Sequence, residues 1–187
     1  MSSPRDLTRL KYLLPDEVAQ LYVILHKFEN SSLRDVLLIR LALETGARAS
    51  ELLLLKPSDV NHDDKSLYIF GLKGCRDREI PLRAETYKLL VRLLALTSSP
   101  FTTDRIFPIS YRRLNQIWNH FRPVKKKLHA CRHYFSLELY QRTHDLKLVQ
   151  LALGHRNLSS TSIYLDFAYG LSEMRRILPT SSGVRLS

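Results

Sequence analysis

Residues 66–82 read SLYIFGLKGCRDREIPL, and this stretch differs in pattern from the segments on either side of it. SLYIF and REIPL are short runs rich in β-forming residues, and the loop between them contains two glycines. Two such runs joined by a short glycine-containing loop predict an antiparallel hairpin.

Apolar residues at helical spacing fill most of the chain outside this hairpin. Pro15 is expected to open the first helix, with two acidic residues in its first turn. Ser31 and Ser32 are candidate caps of a second helix, which ends before Gly46. The second and later helices are predicted at residues 33–44, 52–55, 84–96, 111–121, 129–142, 146–153, 159–167 and 171–178. We therefore predict a mainly α fold with one small antiparallel β-sheet, in the α+β class.

The charge of the chain predicts a polyanionic partner. Its 187 residues include 29 Lys and Arg against 18 Asp and Glu, which gives a formal net charge of +11. Nucleic acid is favoured over an acidic membrane surface. No apolar run approaches the roughly 18 residues that span a bilayer, and no secretory signal is visible, so we expect a cytoplasmic protein without a membrane partner.

Metal and nucleotide motifs are weak in this sequence. His129 and His133 lie four residues apart with Cys131 between them, a spacing that zinc-binding helices share. The glutamate of the H-E-x-x-H motif is absent, however, and Arg132 would place a cation beside the metal. The GLKG segment lacks the spacing and ending of a P-loop. We expect neither a metal nor a cofactor.

A more specific pattern is formed by residues that are far apart in the chain but follow a definite order. Arg48 lies in TGARASEL, Lys73 in the hairpin loop, and the motif H-x-x-R spans residues 129–132. His155 lies in LGHRN, and Tyr164 follows it by nine residues. Over residues 12–170 this pattern resembles the catalytic domain of the tyrosine recombinases, or phage-type integrases.

The resemblance implies a catalytic set that suits a DNA phosphodiester. Two guanidinium groups would clamp the non-bridging oxygens, and the imidazoles would donate to them or move protons. Lys73 would serve as general acid to the leaving 5′ oxygen, and Tyr164 would attack phosphorus to form a 3′-phosphotyrosyl link. The implied catalytic residues are Arg48, Lys73, His129, Arg132, His155 and Tyr164.

Several assignments within this set have competitors. Tyr169 is the nearest alternative nucleophile, but its spacing from His155 does not match the motif. Arg76 and Arg78 share the hairpin region with Lys73. Glu51 either orients Arg48 as a supporting carboxylate or simply faces solvent.

Other basic residues are candidates for contacts to the DNA backbone, which position a protein without specifying sequence. The KKK run at residues 125–127 is either a solvated loop or a DNA-facing segment, and its place before H-x-x-R favours the second interpretation. The predicted DNA-contacting residues are Arg76, Arg112, Arg113, Lys125, Lys126, Lys127 and Arg156.

The length suggests a single catalytic domain without the additional N-terminal DNA-binding domain of most relatives. We expect a basic leader over residues 1–11, a catalytic core over 12–170 and a C-terminal segment over 171–187. This organisation resembles the minimal recombinases that invert the fimbrial promoter switch of enteric bacteria. The family implies a tetramer on paired sites of double-stranded DNA, with help from accessory DNA-bending or core-binding proteins.

The sequence therefore predicts a site-specific DNA recombinase that acts through a covalent phosphotyrosyl intermediate. Integration, excision, inversion and resolution all remain open. Two alternatives also remain: a non-catalytic DNA-binding protein on the same scaffold, and an enzyme that relaxes DNA like a type IB topoisomerase. The C-terminal segment carries an apolar stripe that suits docking either on a neighbouring subunit or on its own domain.

Overall fold

The computed structural model describes residues 11–72, 74–97 and 104–157. Seven α-helices and three strands lie within these ranges. The order is α1 (Pro15–Phe28), α2 (Leu33–Thr45), α3 (Ala49–Leu52), β1 (Val60–Asn61), β2 (Ser66–Ile69), β3 (Arg78–Pro81), α4 (Ala84–Thr97), α5 (Tyr111–Phe121), α6 (His129–Thr143) and α7 (Leu146–Leu153). The predicted fold class is confirmed. The helices predicted at residues 159–167 and 171–178 lie outside the described residues.

The sheet is antiparallel with strand order β1-β2-β3. Leu67 in β2 lies opposite both Val60 and Ile80, which places apolar side chains on one face. The predicted hairpin therefore exists, but strand β1 was missed. It is only two residues long, too short to show an alternating pattern. It is joined to β2 by a turn in which Asn61 Oδ1 accepts hydrogen bonds from the backbone N–H groups of Asp63 and Asp64.

Helix α2 is the centre of the hydrophobic core. Most of its residues are buried, and it packs against α1, α3, α4 and α6. Large apolar side chains from later in the chain, including Phe107, Trp118 and Phe121, complete the core. No helix within the described ranges is long and apolar enough to cross a membrane.

Two glycines end helices next to predicted catalytic residues. Gly46 closes α2 with a φ of +59°, and a Cβ there would lie 2.5 Å from the Phe135 ring. Gly154 closes α7 with a φ of +68°. Both positions require glycine because of the positive φ and the close neighbours. The chain leaves Gly46 towards Arg48, and it leaves Gly154 directly into His155.

Helix α3 begins three residues earlier than the sequence predicts, at Ala49 instead of Leu52. The reason is a side-chain cap, in which Glu51 Oε2 accepts the Arg48 backbone N–H at 2.8 Å. This cap fixes Arg48 at the junction between α2 and α3.

Candidate active site

The structure describes four of the six predicted catalytic residues and brings three of them into direct or shared contact. Arg48 precedes α3, Arg132 lies in the first turn of α6, and His155 follows α7. His129 begins α6, one turn before Arg132. Lys73 and Tyr164 lie outside the described residues.

Arg132 joins the ends of two helices. Its side chain is 2% exposed. Nη1 donates to the carbonyl of Gly46 at 2.7 Å, and Nη2 donates to the carbonyl of Leu153 at 2.8 Å. These carbonyls terminate α2 and α7, where backbone acceptors lack helical partners. Arg132 therefore fixes the relative position of the segments that carry Arg48 and His155.

Glu51 lies beneath the arginines as a fully buried carboxylate. Arg78 Nη2 donates to Oε2 at 2.7 Å, and Arg48 Nη1 lies 3.4 Å from Oε1. Arg132 Nη1 is more distant, at 4.0 Å from Oε2. Burial raises the pKa of Glu51, but the neighbouring Arg78, Arg48 and Arg132 outweigh it and hold that pKa below its usual range. Of the two alternatives left open by the sequence, Glu51 has the geometry of a carboxylate that orients Arg48.

The Arg48 side chain reaches the hairpin. Its Nη1 also lies in hydrogen-bond contact with the thiol of Cys75, in the loop between β2 and β3. With 29% of its side chain exposed, Arg48 is the more accessible of the two predicted clamp arginines. The loop next to Lys73 is thus connected directly to the site.

His155 lies against Arg132, with Nε2 3.0 Å from Arg132 Nη2. Because a guanidinium can only donate, we assign Nε2 as the acceptor, which leaves the imidazole proton on Nδ1. Desolvation, followed by the charges of Arg132 and Arg48, lowers the pKa of His155 from 6.5 to about 4. His155 is therefore a neutral hydrogen-bonding group near pH 7. Gln150 supports it by donating to the backbone carbonyls of His155 and Arg156.

His129 and His133 form a pair on α6, with ring centroids 4.6 Å apart in an edge-to-face arrangement. Desolvation and the cations Arg132 and Arg48 lower the pKa of His129. Burial, then the neighbouring His129 and Arg132, lowers the pKa of His133 to about 3. Both rings are neutral near pH 7, and His129 is the more accessible proton acceptor.

A cleft of about 690 Å³ opens beside Arg48 and His129. One wall comes from α5 and carries Tyr111, Asn115 and Asn119. The lining also includes Lys127 and two further cations that follow α5, Arg122 and Lys126. The cleft therefore brings basic side chains next to two of the predicted catalytic side chains.

The predicted DNA-contacting residues fall into two groups. Lys126 is engaged within the protein, since its Nζ bonds both carboxylate oxygens of Glu17 at 2.6 and 2.8 Å and its side chain is 9% exposed. In this structure its ammonium is paired with Glu17, although the side chain also lines the cleft. The other residues of the set are exposed: Arg76, Arg112, Arg113, Lys125, Lys127 and Arg156.

Sequence reasoning missed three residues that shape the site. Arg78 was named only as a competitor of Lys73, yet it pairs with Glu51. Its position two residues before the apolar Ile80 in the predicted strand indicated a buried side chain, because alternate residues of a strand face the same side of the sheet. Cys75 had no assigned role, and nothing in the sequence links it to Arg48. Gln150 gave no signal, because its carbonyl acceptors lie in the turn after α7.

The arrangement is chemically suited to an anionic group. Three guanidiniums surround one carboxylate, so positive charge remains after internal pairing. Planar guanidiniums match phosphate oxygens in a bidentate geometry. Within residues 11–72, 74–97 and 104–157, no group of three or more His, Cys, Asp or Glu side chains could hold a metal ion.

The chain is similar in sequence to known proteins of one family. Residues 11–170 match the model of the phage integrase family. Tyrosine recombinase XerA of Pyrococcus furiosus is 32% identical over 164 residues, which cover 82% of this chain and 56% of the relative. Tyrosine recombinase XerC of Actinobacillus pleuropneumoniae is 29% identical over 184 residues, covering 90% and 60% of the two chains. The chain thus spans little more than half the length of these curated relatives.

Solved structures are similar over most of the chain. The XerH recombinase bound to a palindromic difH substrate, in a post-cleavage complex, has a TM-score of 0.74 and 29% identity, covering 91% of this chain and 54% of XerH. The catalytic domain of bacteriophage HP1 integrase has a TM-score of 0.63 and 25% identity. That comparison covers 92% of this chain and 98% of the HP1 domain.

Proposed function

The chain belongs to the phage integrase family of tyrosine recombinases, and on this premise we propose that it cleaves and rejoins double-stranded DNA at specific sites. One observation carries the proposal. Arg48, Arg132 and His155 come from three separate helix ends and converge around the buried carboxylate of Glu51. A cluster that is built in this way and keeps excess positive charge supports binding of a single phosphodiester.

The two arginines act as the phosphate clamp. The transition state of phosphoryl transfer gathers negative charge on the non-bridging oxygens, and fixed cations stabilise it more than the ground state. Arg132 is held by two backbone carbonyls and Arg48 by Glu51 and Cys75, so both are positioned before DNA arrives. Neutral His155 contributes a further donor through Nδ1–H.

Tyr164 is the nucleophile in this proposal. Its phenolic oxygen attacks phosphorus, the bond to the 5′ oxygen breaks, and the protein becomes linked to the 3′ phosphate. The phenol proton passes to a base, for which neutral His129 is suited, and Lys73 protonates the leaving 5′ oxygen. A 5′ hydroxyl then attacks the phosphotyrosine and regenerates Tyr164. Each step exchanges one phosphate ester for another, so the bond energy is conserved without ATP.

The cleft beside Arg48 and the exposed cations around it are the proposed path of the DNA backbone. Residues 12–170 would form the catalytic core, acting on nucleoid DNA in the cytoplasm. XerH is solved with its difH substrate both before and after cleavage, which supports an analogous DNA complex here. We propose that four protomers assemble on two duplexes, with residues 171–187 contributing to subunit contacts and accessory proteins supplying further DNA grip.

Covalent capture tests this function and selects the target site in the same experiment. A library of nicked duplexes with a randomised segment is incubated with the protein, and denaturant-stable adducts are isolated and sequenced. We expect enrichment of a defined sequence with the intact protein and no adduct with Tyr164→Phe. Adducts without sequence enrichment would favour a relaxing enzyme of the topoisomerase type. Specific binding without any adduct would favour a non-catalytic DNA-binding protein.

A further inference from the structure

Arg78 is a buried arginine that the proposed chemistry does not use. It lies at the start of β3, opposite Ile69 of β2, and its side chain is 4% exposed. A guanidinium is rarely buried unless it is paired, because removing its charge from water is costly. The partner is Glu51, which Arg78 Nη2 contacts at 2.7 Å.

The distances around Glu51 show which arginine holds the carboxylate. Arg78 lies at 2.7 Å, Arg48 at 3.4 Å and Arg132 at 4.0 Å. Among the three guanidiniums, only that of Arg78 makes a short charge-assisted hydrogen bond to the carboxylate, whose Oε2 also accepts the Arg48 backbone N–H at 2.8 Å. The Arg78 pair therefore takes up most of the Glu51 charge, while the two predicted clamp arginines are only weakly paired with it.

Arg78 also touches the segment that carries His155. A Cβ at Gly154 would lie 3.2 Å from Arg78 Nη1, so the guanidinium packs against the Gly154 backbone. Two residues before Arg78, the Arg76 N–H donates to the Gly154 carbonyl at 2.8 Å. Strand β3 is thus connected to α3 through Glu51 and to the end of α7 through Gly154.

Within the described part of the chain, Arg78 Nε and Nη1 have no hydrogen-bond partner. A buried donor without a partner costs stability. A hydrophobic residue at this strand position would avoid that cost but would leave the buried Glu51 carboxylate without its shortest ion pair. The arginine at this position is therefore explained by Glu51 and not by full hydrogen bonding of its own guanidinium.

We infer that Arg78 is a positioning residue, which holds the Glu51 carboxylate so that Arg48 and Arg132 keep their charge for the scissile phosphate. This inference rests on the proposed function. Without Arg78, the buried Glu51 carboxylate turns to the remaining cations and pairs tightly with Arg48 and Arg132. The guanidiniums of the clamp are then paired with Glu51, and the phosphate must compete with that carboxylate for them.

The decisive experiment combines Arg78→Gln with Glu51→Gln. Single-turnover cleavage is measured at saturating concentration of the duplex selected by covalent capture, and affinity for that duplex is measured separately. Arg78→Gln is expected to slow cleavage on the order of 100-fold, as small misplacements of catalytic groups do, with affinity changed only a few-fold. Adding Glu51→Gln removes the competing charge and is expected to restore the rate about tenfold over Arg78→Gln alone. Arg78→Lys should be intermediate.

Arg40→Gln is the matched control. Arg40 is also a buried arginine, 8% exposed, with an unpartnered Nε among the described residues, and its ion pair is with Glu29. Its replacement should lower the urea midpoint without slowing cleavage by the folded protein. The inference is overturned if Glu51→Gln adds to the defect of Arg78→Gln, or if Arg78→Gln behaves like Arg40→Gln. If Arg78→Gln does not fold, Arg78→Lys is combined with Glu51→Gln and judged by the same rule.

A crystal structure of Arg78→Gln without DNA tests the contact separately from cleavage. The distance from Glu51 Oε2 to Arg132 Nη1 should shorten from 4.0 Å to about 2.8 Å. An unchanged distance would contradict the inference even if the protein cleaves DNA. A shortened distance in this variant, together with no adduct from the wild-type protein, would uphold the contact and refute the proposed function.

Discussion

Arg132 shows how one side chain can be both a structural connector and a catalytic candidate. Its guanidinium spans the carbonyls of Gly46 and Leu153 and also contacts His155. The fork geometry of arginine is what permits these simultaneous contacts, since an ammonium has no planar array of donors. The sequence motif H-x-x-R located this residue, but the carbonyl partners lie 86 and 21 positions away in the chain and had no sequence signal.

Arg132→Lys is therefore expected to fail in two ways. At least one of the two carbonyls loses its donor, which should lower the free energy of unfolding by about 1–3 kcal/mol. Cleavage of the captured duplex should slow roughly 100- to 1000-fold, as when a transition-state donor is removed. Urea denaturation and single-turnover cleavage measure the two effects. Arg142→Lys is the control, because Arg142 lies on the same helix in an exposed pair with Glu138, and it should change neither stability nor cleavage. Cleavage by Arg132→Lys at the wild-type rate would refute the role of Arg132 in the clamp.

The histidines predict a loss of stability on mild acidification. Burial and nearby cations lower the pKa of His133 to about 3 and that of His155 to about 4, whereas both have ordinary values near 6.5 when unfolded. Between pH 6.5 and 5 the unfolded chain binds more protons, so stability falls as the pH falls. His133→Asn should flatten the slope of urea midpoint against pH in this range. A slope for His133→Asn equal to that of the wild-type protein would contradict the prediction.

At the scale of elements, the site is an assembly of helix ends and one hairpin. The ends of α2 and α7, the starts of α3 and α6, and strand β3 meet around Glu51 and Arg132. The sequence predicted these elements because periodicity and capping residues are local signals. Strand β1 was missed because two residues are too few to show a periodic pattern. The start of α3 was predicted three residues too late because the apolar run LLLL at residues 52–55 indicated a helix there, whereas the cap by Glu51 starts the helix at Ala49.

Gly154 and Gly74 offer a matched pair that tests the link between the hairpin and α7. Both have positive φ, +68° and +79°, so alanine is strained at either position. A Cβ at Gly154 would also lie 2.5 Å from the Arg76 carbonyl oxygen, whereas at Gly74 nothing lies within 4 Å. We expect Gly74→Ala to cost about 1–2 kcal/mol of unfolding free energy and Gly154→Ala clearly more, with slower cleavage. Equal costs by urea denaturation would show that the hairpin contact is unimportant.

At the scale of the whole molecule, the net charge of +11 pointed to a polyanion before any fold was known. Composition does not say which cations are available, because that depends on pairing between distant segments. The partners Lys126 and Glu17 are 109 positions apart, and only the fold brings them together. The cleft beside Arg48 is likewise formed by α5 and the loop after it, which no sequence pattern places next to TGARASEL.

Lys126 and Lys127 allow this distinction to be measured. Each phosphate contact adds about one unit to the slope of log affinity against log salt concentration. Lys127→Gln should reduce the magnitude of that slope by about one, because Lys127 is exposed and lines the cleft. Lys126→Gln should leave it nearly unchanged, because that ammonium is already paired with Glu17. A larger effect from Lys126→Gln would show that the pair opens on DNA.

The most direct test of the central claim is to locate the DNA on the protein after covalent capture. Complete digestion after lysine and arginine places Tyr164 and Tyr169 in one peptide, residues 157–175, so tandem mass spectrometry must separate them. We predict that the nucleotide remnant is retained on N-terminal fragments that include Tyr164 and end before Tyr169. A remnant found only on fragments containing Tyr169, or on a peptide elsewhere in the chain, would contradict this assignment of the nucleophile.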